Sequence, residues 1–307
     1  MKTVRIGSRG SLLALAQAHE IRCRLKSRFP KIDFRIVVVK TTGDEFQSVE
    51  LFKKKNIGVF TKALEEKLMR QEIDMAVHSL KDLPTQLPNG LTLAAFPKRL
   101  DARDVLISLH RHTLASLPKG ARVGTGSPRR QRQLLHLRPD LKVIDLRGNL
   151  DTRIAKVIHE KKLDAAVVAH AGLLRLKKYL KYAVPISSRE MLPAVGQAAL
   201  GIEVRIGDER MLRLAKALNH PQTEQAVLAE RSFLKVLQGG CRVPVGISSK
   251  KSGGKLHLRA AVFSIQTEDF LTDEITGPAK SYKTLAETLA RRLLKKGASK
   301  FLKEARA

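Results

Sequence analysis

Twice along its length this chain repeats one pattern: a short β-branched segment, a turn rich in Gly, Ser and Arg, and then an amphipathic run. Val4-Arg5-Ile6 reads as a strand and Ser8-Arg9-Gly10-Ser11 as a turn. Leu12 to Phe29 carries apolar residues at helical spacing, with Ser11 placed to cap it. Phe34 to Val39 reads as a strand, Thr41 to Asn56 as a mobile polar loop, and Thr61 to Arg70 as a helix. Asp74 to Val77 reads as a buried strand leading into His78-Ser79-Leu80-Lys81-Asp82-Leu83-Pro84, and Leu91 to Phe96 as another. The pattern restarts with strands at Arg122–Gly124, Val143–Leu146 and Ala165–Ala169, and with helices at Arg129–Leu137 and Asp151–Glu160. Such alternation buries its apolar faces only in layers, so it predicts an α/β fold with a mostly parallel sheet. Leu192 to Gln197 reads as a crossing segment and Gly201 to Val204 as one more strand. The last third breaks the pattern, with a helix over Pro221–Leu237, a hairpin over Leu256–Phe263 and Phe270–Ile275, and a helix over Thr284–Lys296.

At 307 residues the chain has room for about two domains. Its 58 Lys and Arg against 29 Asp and Glu leave +29, a field that attracts anions without choosing among them. Aromatics at 4%, with no Trp, are poor material for stacking on single strands, and no zinc-finger or RNA-binding signature appears, so a specific nucleic-acid partner is not expected. Two cysteines exclude a disulfide scaffold. The nine histidines show no paired metal spacing, and no metal site is expected. No apolar run approaches the ~20 residues of a membrane span, and no secretory leader is apparent, so a cytoplasmic setting is expected.

Three strand-to-helix turns carry basic or hydroxyl residues: Arg9 with Ser11, Ser127 with Arg129 and Arg130, and Arg147 with Arg153. Ligands of open α/β sheets bind beyond the carboxyl ends of strands, where helix N-termini offer N–H groups and arginine adds a planar fork. The set points to a cleft for a polycarboxylate. The alternative is local pairing of each arginine with Asp140, Asp145 or Asp151. Asp82 beside Lys81 suits an ionised carboxylate that stabilises a nearby cation, or else a turn cap before Pro84. Cys241 follows Gly239-Gly240 and precedes Arg242, a setting for a reactive thiolate or for a small buried side chain. Cys23, on a helix without a glycine loop, reads as structural.

Taken together these motifs resemble the porphobilinogen deaminase family. The matching segments are IGSRGSLLA from Ile6, Thr42-Gly43-Asp44, VHSLKDLP from Val77, VGTGSPRRQ from Val123, Leu146-Arg147-Gly148-Asn149, Ala171-Gly172-Leu173, LPAVG from Leu192, Ala229-Glu230-Arg231, and Gly239-Gly240-Cys241 with Val243-Pro244. The resemblance implies two α/β halves like those of periplasmic binding proteins and a small α+β C-terminal domain. Domain 1 would be residues 1–98 with 197–216, domain 2 residues 103–192 and domain 3 residues 219–307. It implies a transferase that adds four porphobilinogen units, losing ammonia each time, to a dipyrromethane cofactor held by a thioether on Cys241, and then releases hydroxymethylbilane by hydrolysis. By the same resemblance Asp82 is catalytic and also touches the cofactor. Lys81, Ser127, Arg129, Arg130 and Arg147 bind the cofactor, Arg9, Ser11, Arg153 and Arg175 bind substrate, and the protein is a monomer. Three positions depart from the family pattern: Ile57 for a Lys, Gly126 for a Ser and Gln238 for a Glu. Of these, Ile57 and Gly126 admit a second reading, a catalytically weak relative that binds anions.

Overall fold

The computed structural model describes residues 3–40, 61–238 and 243–305. The expected loop at 41–56, Ile57, and Cys241 with its glycines lie outside the described residues. The chain splits into two compact units, Met1–Leu100 with Ala199–Glu224, and Asp101–Ala198 with Gln225–Ala307.

In chain order the first unit supplies β1 (Val4–Arg9), α1 (Leu12–Arg28), β2 (Phe34–Val39), α2 (Lys62–Met69), β3 (Met75–Ser79) and β4 (Leu91–Ala95). The second supplies β5 (Asp104–Ile107), β6 (Arg122–Gly124), α3 (Pro128–Leu137), β7 (Lys142–Ile144), α4 (Leu150–Ile158), β8 (Ala165–Ala169), α5 (His170–Leu176) and β9 (Ala183–Pro185). The chain then returns for β10 (Leu200–Arg205) and α6 (Glu209–Lys216), and ends with α7 (Pro221–Val236), β11 (Val245–Ser252), β12 (Lys255–Phe263), β13 (Phe270–Pro278), α8 (Tyr282–Leu293) and α9 (Ser299–Glu304). A short 3-10 turn, Leu80–Asp82, follows β3.

The first unit's sheet runs β2-β1-β3-β10-β4 and the second unit's β7-β6-β8-β5-β9. Position by position these are the same sheet, as the restarting pattern predicts. They are mixed rather than mostly parallel: β10 runs antiparallel to β3 and β4, and β5 antiparallel to β8 and β9. The reason is the path of the chain. In each sheet the reversed strand is the one that follows a passage between units, so it enters from the opposite end. β5, β9 and β11 were not expected from the sequence. β5 and β9 are four and three residues long, too short to show a period.

Each sheet carries its own core. Val4, Ile6, Ile21, Leu25, Met75 and Ile202 pack together in the first unit, and Val105, Ile107, Ile154, Ala166 and Leu173 in the second. The last three strands form an antiparallel sheet, β11-β12-β13, covered by α7 and α8 through Phe233, Ile247, Leu258, Leu289 and Leu293. Within the second unit β11 lies against the segment before the crossing. The Ile247 N–H donates to the Pro193 carbonyl at 2.9 Å, and a Cβ at Gly246 would sit 2.6 Å from the Leu192 Cβ. Cys23 is exposed on α1, so it has no part in the core. Among the described residues no helix is long and apolar enough to cross a membrane.

Phe233 is fully buried and among the largest such side chains. Truncation to Ala is expected to cost about 3–5 kcal/mol, read as a lower denaturant midpoint in equilibrium unfolding.

Candidate active site

In the first unit the geometry starts at the end of β3. Leu80 and Leu83 are buried, and the Leu80 N–H donates to the Ala199 carbonyl at 3.0 Å. With both leucines drawn inward, the intervening turn directs Asp82 to solvent, and its carboxylate hydrogen-bonds to none of the described residues. Lys81 stands beside it, half-buried. Arg9 ends β1, and Ser11 caps α1 by accepting from the Ala14 N–H at 3.3 Å, as the sequence predicts. Arg9, Ser11, Gln17, His78, Ser79 and Asp82 line one cavity of about 90 Å³. Gln17 is locked across it by a reciprocal pair with the Ser79 hydroxyl, at 2.8 and 3.1 Å. Beneath lies a buried polar group that the sequence reading does not pick out. His78 Nε2 is 2.9 Å from Glu203 Oε2, with both side chains almost wholly buried. Burial, and then the charge of Glu203, push the nearby Glu65 carboxyl up.

In the second unit Ser127 is the N-cap of α3 and Pro128 follows at the first helical position; the Ser127 hydroxyl makes no capping bond. Arg129 and Arg130 leave the first turn of that helix inward and converge on Asp104, which is fully buried at the start of β5. Arg129 Nη1 donates to Asp104 Oδ2 at 2.8 Å and also to the Leu192 carbonyl. Arg130 donates through Nε and Nη2 to Asp104 Oδ1, at 3.1 and 2.8 Å, and through Nη1 to the Val167 carbonyl. Gln197 Nε2 adds a bond to Asp104 Oδ1 at 2.9 Å and another to the Ala102 carbonyl at 2.7 Å. Burial alone would raise the Asp104 carboxyl; the two guanidiniums reverse that and hold it well below the usual carboxylate range. Sequence spacing alone does not place residue 104 under residues 129 and 130, so Asp104 is legible only in the folded chain. Arg129 Nε and Nη2 donate to none of the described residues.

The remaining arginines lie nearer the surface. Arg147 pairs with Asp145 at 3.0 Å, the local pairing considered as the alternative, but both are more than half exposed and the pair is weak. Arg153 Nε donates to the Gly148 carbonyl at 2.8 Å, and Arg175 Nη2 to the Ala198 carbonyl at 3.0 Å. Arg147, Asp145, Thr125, Gly126 and Gln131 line a second cavity of about 280 Å³. Among the described residues no cluster of three or more His, Cys, Asp or Glu could hold a metal ion.

Gly126 has a physical reason. A Cβ there would lie 2.8 Å from the Leu146 carbonyl oxygen, a backbone atom that cannot swing aside. Gly126→Ser is therefore expected to destabilise by about 1–3 kcal/mol, seen as a lower midpoint in chemical denaturation. Asp104→Asn leaves two buried guanidiniums without their anion and is expected to cost about 3–5 kcal/mol at neutral pH. Because the folded carboxyl sits below its unfolded value of ~3.9, its stabilisation is present above that pH and fades as pH falls through and below it. Unfolding free energy measured from pH 6 to 2 should thus fall more steeply in the wild type than in Asp104→Asn.

Comparison with known proteins bears on the whole chain. The profile described as "Porphobilinogen deaminase, dipyromethane cofactor binding domain" matches residues 4–213, and that described as "Porphobilinogen deaminase, C-terminal domain" matches residues 224–295. A porphobilinogen deaminase of Pelobacter propionicus is 43% identical over 303 residues, covering 99% of this chain and 97% of its own. One of Chlorobium phaeobacteroides is 44% identical over 309 residues, with 99% and 98% covered. One of Moorella thermoacetica is 44% identical over 307 residues, with 100% and 98% covered. Matched from end to end at this level of identity, the chain belongs to the porphobilinogen deaminase family.

Proposed function

We propose that this chain is an active porphobilinogen deaminase, a cytoplasmic, monomeric transferase of tetrapyrrole biosynthesis. It condenses four porphobilinogen molecules, with loss of ammonia, onto a dipyrromethane cofactor attached to Cys241, and releases hydroxymethylbilane by hydrolysis. The observation that carries the reading is Asp82, a carboxylate without a partner among the described residues, directed outward beside Arg9 and Ser11 in one cavity.

The donor set suits a pyrrole bearing carboxylates. Ser127 keeps its hydroxyl, Arg129 keeps two N–H-bearing nitrogens, and Arg147 is exposed beside the larger cavity. These residues, with Lys81 and Arg130, would hold the cofactor's carboxylates, and Arg9, Ser11, Arg153 and Arg175 those of the substrate. When bound, the dipyrromethane supplies a nucleophilic pyrrole carbon. Arg9 binds a substrate carboxylate by its planar fork, which places the aminomethyl group. Asp82 would face the ring N–H groups of bound pyrroles, where its carboxylate would stabilise the positive charge that accompanies loss of ammonia from the substrate. With no competing partner among the described residues, its carboxylate is directed at that charge. Asp104 keeps Arg129 and Arg130 fixed and charged, so the anion site is formed before ligand arrives.

Intact-mass spectrometry tests the reading. The wild type should carry the added mass of a dipyrromethane and form tetrapyrrole from porphobilinogen. Asp82→Asn should keep the added mass and lose at least about 100-fold in turnover, whereas Cys241→Ser should show the bare sequence mass. A wild-type chain that stays at its bare mass after incubation with porphobilinogen overturns the proposal. Attached cofactor without tetrapyrrole points instead to the anion-binding relative.

A further inference from the structure

Each condensation forms a C–C bond between the substrate methylene and the free α-carbon of the acceptor pyrrole. The C–N bond of the substrate breaks and ammonia leaves. The α C–H bond must then break, its electron pair returning to the ring and its proton passing to a base. A carboxylate that is neutralising the ring cation is a poor choice for that base at the same moment. A second proton acceptor in the same cavity would separate the two tasks, and the first unit contains one.

His78 lies on β3 and lines the cavity that Asp82 lines. Its Nε2 is 2.9 Å from Glu203 Oε2 on β10, and the two side chains are 4% and 0% exposed. Register explains the meeting. His78 pairs with Gly201, and Glu203 lies two residues further along the same face of the sheet. Accepting from Nε2–H, the Glu203 carboxylate leaves Nδ1 as the nitrogen with the lone pair, and Nδ1 hydrogen-bonds to none of the described residues. Glu203 Oε1 is buried without a hydrogen-bond partner among them, so the carboxylate is committed to the imidazole alone. The other charged groups about the pair are Glu65 of α2, which burial and Glu203 favour in its protonated form, and Arg9 and Asp82 at the cavity. This is the carboxylate–imidazole arrangement by which a buried acid fixes tautomer and orientation of a base.

We infer that His78, oriented by Glu203, is the base that takes the α-carbon proton at each condensation and passes it to water, while Asp82 holds the ring cation. The balance closes: the substrate's ammonium group leaves as ammonia, and the one proton released is that of the acceptor α-carbon. The inference rests on the deaminase reading above.

Two measurements on the full-length protein test it. The first is independent of turnover: ¹H–¹⁵N correlation of the His78 ring. The wild type should show one Nε2–H tautomer and Glu203→Gln a mixture; the Nδ1–H tautomer in the wild type would overturn the assignment. The second is steady-state kinetics across pH on cofactor-loaded protein. His78→Gln should lower kcat about 100-fold or more, with KM within about twofold, and should abolish the acidic limb of the kcat profile. Glu203→Gln should lower kcat about tenfold and move that limb to lower pH, and Glu203→Asp should restore part of the loss. Cofactor attachment, checked by mass, shows that each variant folds. Where His78→Gln fails to load, Glu203→Gln carries the test through both readouts. Wild-type kcat and pH profile in loaded His78→Gln, or in Glu203→Gln where that variant carries the test, would sink the inference and leave the deaminase reading intact. A wild type without activity but with the Nε2–H tautomer would sink both the deaminase reading and the role that rests on it.

Discussion

Asp104 accepts hydrogen bonds from Arg129, Arg130 and Gln197 at a site with no access to water. Two guanidiniums buried without this anion would each carry a desolvation cost of several kcal/mol, and the first turn of α3 could not point inward. A buried ion pair is seldom the most stable filling for such a space, since well-packed apolar side chains often do as well. What the triad provides is position. Arg130 spends Nε, Nη1 and Nη2 on protein acceptors, whereas Arg129 spends one nitrogen and keeps two. The same carboxylate reaches Gln197, whose amide also holds the Ala102 carbonyl. The arginine pair and Gln197 are therefore held together by the two oxygens of Asp104.

The two units solve opposite electrostatic problems with one topology. At the end of β3 the turn buries leucines on either side and leaves the Asp82 carboxylate without a hydrogen bond among the described residues; at the start of α3 the turn buries cations and supplies their anion from β5. A lone exposed Asp82 can respond to a cation that appears only during reaction. A neutralised arginine pair cannot collapse onto the nearest acid when ligand is absent. On the proposed function, these are the requirements for stabilising a transient charge and for holding permanent ones.

Much of this was legible in the sequence, and the parts that were not share a cause. Ser11 as an N-cap, the turns after Arg9 and before Pro128, and the repeat of the sheet follow from local chemistry: hydroxyl caps, a proline at the first helical position and β-branched runs. The reversal of β5 and β10 depends on which end of a sheet the chain enters, which no local period encodes. Asp104 meets Arg129 and Arg130 at sequence separations of 25 and 26 residues, and His78 meets Glu203 at 125. Asp145 pairs with Arg147 on the surface, whereas Asp140 pairs with Arg138 in a half-buried, two-bond contact, both at two-residue spacing. Sequence proximity reaches the exposed Arg147–Asp145 pair, and tertiary structure makes the buried contacts of Asp104 and Glu203.

The net charge of +29 acts at another range. Acids near the surface pair with neighbouring bases, as in Arg103 with Asp101 and Arg122 with Asp164, and with twice as many basic as acidic side chains such pairing leaves a large positive excess. Beyond ~10 Å at 0.1 M salt such a field is screened, and it cannot decide which carboxylate sits on which guanidinium. It does raise the rate at which any polycarboxylate arrives. On the proposed function, selectivity would then reside in fixed, short contacts: the Arg129 nitrogens and the Ser127 hydroxyl that bond to none of the described residues, and the fork of Arg9. Salt should accordingly weaken encounter more than it weakens what those contacts hold once water has been displaced, because screening acts through solvent and the contacts do not.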